Sequence, residues 1–136
     1  MEVDATLAAE LGVSGTAGDR TETVVLVVES ETGVRRFEAG ITAPENTTVE
    51  RTAAGDLDDT FEVTGGGEGA SSVEARAIDF VGKGREPPVV LFGVRFSAPV
   101  DPGAVGFTAR RLVGHDEEEV DGTAVRVAPA ERTEPL

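Results

Sequence analysis

Cysteine, tryptophan and tyrosine are absent from this chain, and histidine, lysine and methionine occur once each. Without cysteine there is no disulfide bracing, no thiol redox chemistry and no zinc–thiolate centre. Without Trp and Tyr the usual platforms for stacking a sugar ring, flat apolar faces with a polar edge, are missing. Basic residues are scarce: Lys83 and 11 arginines face 26 acidic side chains, for a formal net charge of −14. No basic run exists to neutralise phosphates, which argues against a nucleic-acid partner. Long apolar runs are lacking too. The longest covers residues 87–94, far short of the roughly 20 residues a membrane-spanning helix needs, so no membrane insertion by this chain is expected. Met1-Glu2-Val3-Asp4 is acidic and no apolar signal-peptide core follows it. Either the protein is cytosolic, or the sequence is a mature domain cut from a longer secreted chain.

What remains is small, acidic and alternating. The 136 residues suit one domain, large enough to bury a core without metal or bridges. Val and Ala supply most of the 39% hydrophobic content. An even acid excess, a single Lys and many small side chains suggest a protein built for high salt. Dense carboxylates keep such a surface hydrated while salt screens their repulsion. The plainer alternative is an acidic mesophilic domain.

Apolar residues recur with period two almost throughout, the mark of half-buried strands. Val3, Ala5, Leu7, Ala9, Leu11 and Val13 alternate strictly, which predicts a strand or two short ones. The Gly/Ser/Asp turn "SGTAGDR" follows, then the Val-rich strand "TETVVLVVES". "VRRFEAGI" carries a one-residue slip between Val34 and Phe37 that suggests a bulge. "TTVERTA", "TFEVT", "VEARAIDF", "VVLFGVRFSA", "AVGFTARRL" and "TAVRVA" read as further strands, separated by Gly/Pro/Asp turns. No segment keeps a helical period with caps. The expected fold is all-β: a two-sheet β-sandwich of eight or nine strands with jelly-roll topology over residues 1–128. A polar Pro/Glu tail or linker is expected over residues 129–136. Within the longest strand, Val90, Phe92, Val94 and Phe96 are expected to face the core. Val89, Leu91, Gly93, Arg95 and Ser97 are expected on the other side, with Gly93 leaving a flat spot beside Arg95.

The succession "GVRRFEAGI", "APENTTVERTAAGDL", "VEARAIDF", "VVLFGVRFSA", "DPGAVGFTARRL" and "GTAVRV" resembles a cohesin-like domain in the divergent form of secreted haloarchaeal proteins. The resemblance is one of pattern and covers roughly residues 3–127. Where many cohesins have a Tyr-Asp-Pro turn, this chain has Thr42-Ala43-Pro44. The resemblance implies a nine-stranded jelly roll with no catalytic centre and no cofactor. It implies docking of dockerins, small calcium-loaded modules, through the sheet of strands three, five, six and eight, here about residues 34–41, 60–63, 73–80 and 105–112.

On those strands alternation decides which side chains face out. With Phe37, Ala39 and Ile41 inward, Arg36, Glu38 and Gly40 point outward. With Val73, Ala75 and Ala77 inward, Glu74, Arg76 and Ile78 are exposed. With Val105, Phe107 and Ala109 inward, Gly106, Thr108 and Arg110 are exposed. The candidate partner-binding face is therefore Arg36, Glu38, Glu74, Arg76, Ile78, Thr108 and Arg110. Five of the chain's arginines (Arg35, Arg36, Arg76, Arg110, Arg111) fall on these strands. Their guanidinium forks match a partner's carboxylates, or they pair with Glu38 and Glu74 inside the sheet. The residues leave both open.

Other chemistry finds weaker footing. His115 in "GHDEEEVDG" stands alone beside acids and reads as part of a solvated charged turn, with neither a triad nor a metal set around it. Asp56, Asp58 and Asp59 lack the spacing of a calcium loop, and no metal site is assigned. All six Phe fall in predicted strands and are expected in the core, which disfavours a sugar platform. Asn46-Thr47-Thr48 fits the N-glycosylation sequon and makes Asn46 a candidate in an exposed turn. The expected function is a non-catalytic interaction or scaffold module of a halophilic extracellular or cell-surface protein. Its partner would be a dockerin-like protein or the neighbouring domains of the same surface protein. The alternatives are a structural module of a surface layer, fibre or adhesin, and a carbohydrate-binding module of a secreted enzyme.

Overall fold

The computed structural model describes residues 3, 5–12 and 21–130. The turn expected at residues 14–20, Val13 of the first expected strand and residues 131–136 of the tail lie outside that range. From residue 21 onward the alternating segments form eight strands: β1 (Thr21–Val28), β2 (Arg36–Thr42), β3 (Val49–Ala54), β4 (Glu62–Gly66), β5 (Ser72–Ile78), β6 (Val89–Val100), β7 (Gly106–Val113) and β8 (Val125–Pro129). They make two four-stranded sheets, ordered β3-β6-β1-β8 and β4-β5-β2-β7, with every neighbouring pair antiparallel. The chain crosses between sheets at almost every connection, as in a jelly roll. Only β4 and β5 are consecutive within one sheet, as a hairpin.

The interior between the sheets is built from inward side chains of both. Val24, Leu26 and Val28 of β1 and Leu91, Phe92, Val94 and Phe96 of β6 meet Phe37, Ala39 and Ile41 of β2 and Val73, Ala75 and Ala77 of β5. Phe37 and Phe92 stack across it at 6.2 Å, and Phe61 tilts against Phe92 at 6.0 Å.

The first segment is not a strand. It is a short helix, α1 (Ala5–Leu11). Val3, Leu7 and Leu11 are four residues apart, so they satisfy a helical period as well as an alternating one. Ala8 and Ala9 decide between them: Ala8 is buried and Ala9 exposed, which only the helix explains. α1 lies on the outer surface of the β3-β6-β1-β8 sheet, where Leu7, Ala8 and Leu11 cluster with Val25, Val27, Ala53, Val90 and Ala128. This is why β1 is buried on both faces and reads as an unbroken apolar run.

β6 also departs from simple alternation. Leu26 pairs with Phe92 but Val27 with Val90, so Leu91 is an extra residue, a bulge. The bulge turns Val89 and Leu91 into the interior and Val90 towards the helix, correcting the expected two-sided split. Gly93 is the expected flat spot, and Leu11 occupies it. A Cβ there would lie 2.5 Å from Leu11 Cδ1. Arg95 stands beside it and holds the end of α1, donating to the carbonyls of Leu11 and Gly12 at 3.1 and 3.0 Å. Its charge is matched by Glu22 and Glu50.

Overpacking at such a contact costs about 1–3 kcal/mol. Gly93→Ala is expected to lower stability by that amount in thermal denaturation, and by less in a Leu11→Ala background. An equal cost in both backgrounds would mean that Leu11 is not what fills the spot.

β8 runs to Pro129, and Ala130 is still buried, its N–H bonded to the Thr23 carbonyl at 3.0 Å.

Candidate docking face

The four strands expected to share a sheet do so, as β4-β5-β2-β7. No element covers its outer surface among the described residues, in contrast to the helix-covered sheet opposite. Register brings the outward residues together: Glu38 lies between Arg76 and Arg111, Gly40 between Glu74 and Thr108, and Arg36 beside Ile78. Arg36, Arg76, Thr108 and Arg110 are exposed, while Glu38, Glu74 and Ile78 are half-buried.

Two of the predicted arginines are neutralised within the sheet. Arg76 grips Glu62 Oε2 of β4 through Nε and Nη2 at 3.1 and 3.0 Å. Arg110 reaches across β2 to Glu74 at 2.9 Å. Gly40 keeps that crossing open, because a Cβ there would sit 3.2 Å from both Glu74 Cγ and Thr108 Oγ1. Arg36 has no ion-pair partner among the described residues, and neither does Arg111.

Arg111 was not expected on this face. Along β2 and β7, Glu38 pairs with Arg111 but Ala39 with Ala109, so Arg110 is bulged out of register. Alternation slips by one residue, Leu112 returns to the core, and both Arg110 and Arg111 face out. The spacing from Ala109 to Leu112 in "ARRL" is the signal in the sequence, an apolar step of three where alternation needs two. The edge position of β7 also corrects two assigned core residues. Ala109 is exposed and Phe107 retains 38% of its surface, whereas Val105 is buried as expected. β4, the other edge, starts at Glu62, not Thr60. Thr60 Oγ1 instead bonds both backbone polar groups of Ile78 at 2.7 Å.

The surface is concave. An open groove of about 500 Å³ is bordered by Arg36, Glu38, Glu62, Arg76, Ile78 and Arg111. A neighbouring one of about 410 Å³ shares Arg36, Ile78 and Arg111 and runs to Phe80, Val113 and Glu117.

Phe80 overturns its assignment to the core. It lies beyond β5 in a loop and is 71% exposed, with Val81 64% exposed beside it. The loop is organised by Asp79. Asp79 Oδ1 accepts from the N–H groups of Val81, Gly82 and Lys83 at 3.1, 2.8 and 3.1 Å. Oδ2 accepts from Gly84 N–H at 2.7 Å and from His115 Nε2 at 2.9 Å. Burial alone would push this carboxyl up, but the four backbone donors prevail and hold it at about 2. His115 is therefore not part of the solvated turn expected of it; its side chain is 13% exposed and Asp79 is its partner. The signal for Asp79 was "DFVGKG", an Asp followed by glycines, the composition of a loop folded around its own carboxylate.

The Asp triplet has its own cation. Asp58 and Asp59 pair with Lys83 Nζ at 2.8 and 3.2 Å, and Asp56 accepts from Val90 N–H. The Lys83 hydrogen bond lowers the Asp58 pKa, and bonds to both carboxylates raise that of Lys83. Among the described residues no cluster of three His or acidic side chains is placed to hold a metal. Asn46 is exposed in the turn between β2 and β3, with a left-handed φ of 62°.

No family model matches the chain, and no curated protein matches it. Among solved structures it is similar to a non-cellulosomal cohesin from the hyperthermophilic archaeon Archaeoglobus fulgidus. The identity is 15% and the TM-score 0.46, with 80% of each chain covered. The β-sandwich assignment itself rests on the strand pairing described above.

Proposed function

We propose that this chain is a non-catalytic interaction module that docks a protein partner through the outer face of the β4-β5-β2-β7 sheet. One observation carries the reading. Of the two outer sheet surfaces, one is packed against α1, while the other has no covering element among the described residues and is grooved and studded with cations on a chain of net charge −14. At contact distance the exposed acidic surface elsewhere opposes an acidic partner, so this face is where such a partner fits. Arg76 and Arg110 act within their own ion pairs, keeping Glu62 and Glu74 from opposing that partner. Thr108 and Ile78 supply the neutral surface between. The acid-rich composition and the exposed Asn46 sequon support an extracellular or cell-surface setting at high salt.

The test compares the wild type with Arg36→Glu/Arg110→Glu as bait in a native high-salt extract of the source cells. Loss of the wild type's partner from the variant is the expected result. Unchanged capture by a folded variant would show that docking does not use this face.

A further inference from the structure

We infer that the end of this face formed by Phe80, Ile78, Arg36 and Arg111 is the subsite that selects the partner, and that it takes an apolar side chain flanked by carboxylates on an acidic protein segment. The inference rests on the docking reading above and says which part of the face recognises what.

Phe80 and Val81 are the most exposed large apolar residues described in the molecule. Nothing lax in the loop explains this. Four consecutive N–H groups, from Val81 to Gly84, converge on Asp79. The loop is also tied at both ends, by Asp79 N–H to the Arg35 carbonyl at 2.6 Å and by Val34 N–H to the Gly84 carbonyl at 2.7 Å. Two apolar side chains are thus held out in water by a fixed loop. An anchor ordered in advance adds little entropy cost on binding.

The cations beside it have the complementary property. Arg35 is answered by Glu117 at 2.6 Å, whereas no carboxylate among the described residues pairs with Arg36 or Arg111. Arg51 and Arg85 also lack an ion pair among the described residues, but Arg36 and Arg111 stand in one groove, on adjacent strands. Two guanidinium forks on adjacent strands, with Ile78 on the strand beside Arg36 and Phe80 and Val113 lining the same groove, suit an apolar side chain with carboxylates next to it. The division of labour also suits high salt, which screens charge attraction but strengthens apolar contact. Phe80 then supplies affinity and the arginine pair supplies selection.

The test pans a displayed random-peptide library against the purified protein and measures a synthetic peptide of the enriched consensus by fluorescence anisotropy. Apolar residues bracketed by Asp or Glu are expected in the consensus. Binding should weaken about tenfold or more in Phe80→Ser and in Arg36→Glu/Arg111→Glu, with unchanged melting temperatures, since all three side chains are exposed. Thr108→Arg, opposite Gly40 and away from the Phe80 end of the face, separates the two readings. If Thr108→Arg abolishes binding and Phe80→Ser does not, the face docks its partner but this subsite does not select it. If none of the three variants matters, both readings fail. An uncharged or basic consensus, or no enrichment at all, overturns the inference. So does self-association of the protein alone that Arg36→Glu/Arg111→Glu abolishes, since the occupant would then be a second copy.

Discussion

Phe92→Ala should unfold the domain or bring it to the edge of unfolding, with a loss of about 3–5 kcal/mol expected for truncating a buried Phe. The setting favours the upper part of that range. Phe92 is fully buried, stacks on Phe37 at 6.2 Å and supports Phe61 at 6.0 Å. Those three rings join β6, β2 and the entry to β4, so the cavity opens where the two sheets meet. The core cluster around it is mostly Val and Ala, whose short side chains reach poorly into a void, which limits relaxation. A small domain with total stability of about 5–15 kcal/mol has little reserve against this. Urea denaturation of the variant reads the effect directly. Phe80→Ser is the control: an equally aromatic position, but exposed, with an expected change within about 0.5 kcal/mol. If Phe92→Ala melted with the wild type, the interior described here would be wrong.

The two aromatic positions also mark where the sequence was legible. Most strand positions followed from alternation and turn residues, because a two-layer sandwich imposes period two on nearly every segment, whereas the grouping of strands into one sheet came only from the resemblance in pattern. What escaped did so for identifiable reasons. Val3, Leu7 and Leu11 fit period two and period four equally, so only the burial of Ala8 separates helix from strand. Single-residue bulges at Leu91 and Arg110 reverse the sidedness of everything beyond them in their strands. The first moved Val89, Val90 and Leu91, and the second brought Arg111 onto the outer surface of the β4-β5-β2-β7 sheet. Edge position left Phe107 and Ala109 uncovered, and edges are a property of sheet order, which no local pattern carries. The outward placement of Arg36, Glu38, Glu74, Arg76 and Ile78 is as assigned because β2 and β5 are the central strands of their sheet, where alternation is undisturbed. Ion pairing depends on diagonal neighbours, so the capture of Arg110 by Glu74 across Gly40 was visible only in three dimensions.

Asp79→Ala should cost about 3–4 kcal/mol at neutral pH, the second largest effect expected. The side chain is 1% exposed and serves four backbone N–H groups and His115. Each buried donor left without a partner costs about 1–3 kcal/mol, and those near the surface recover water and cost little. Asp79→Asn gives the pH dependence. The folded carboxyl sits at about 2, below its ordinary 3.8. Its ionised form is therefore favoured by folding. That contribution, about 2 kcal/mol at about 1.4 kcal/mol per unit, is complete above 3.8 and is lost as pH falls through 3.8 towards 2. Between about pH 5 and pH 2 the wild type should lose about 2 kcal/mol more stability than Asp79→Asn, which has no proton to gain. Parallel acid profiles of the two proteins would mean that the carboxylate does not organise the loop. The same variants report on recognition, because residues 79–84 hold Phe80 and Val81 outward. A stable but loosened loop in Asp79→Asn should weaken the consensus peptide through lost anchoring while leaving Arg36 and Arg111 in place, so its residual binding should still fall with salt.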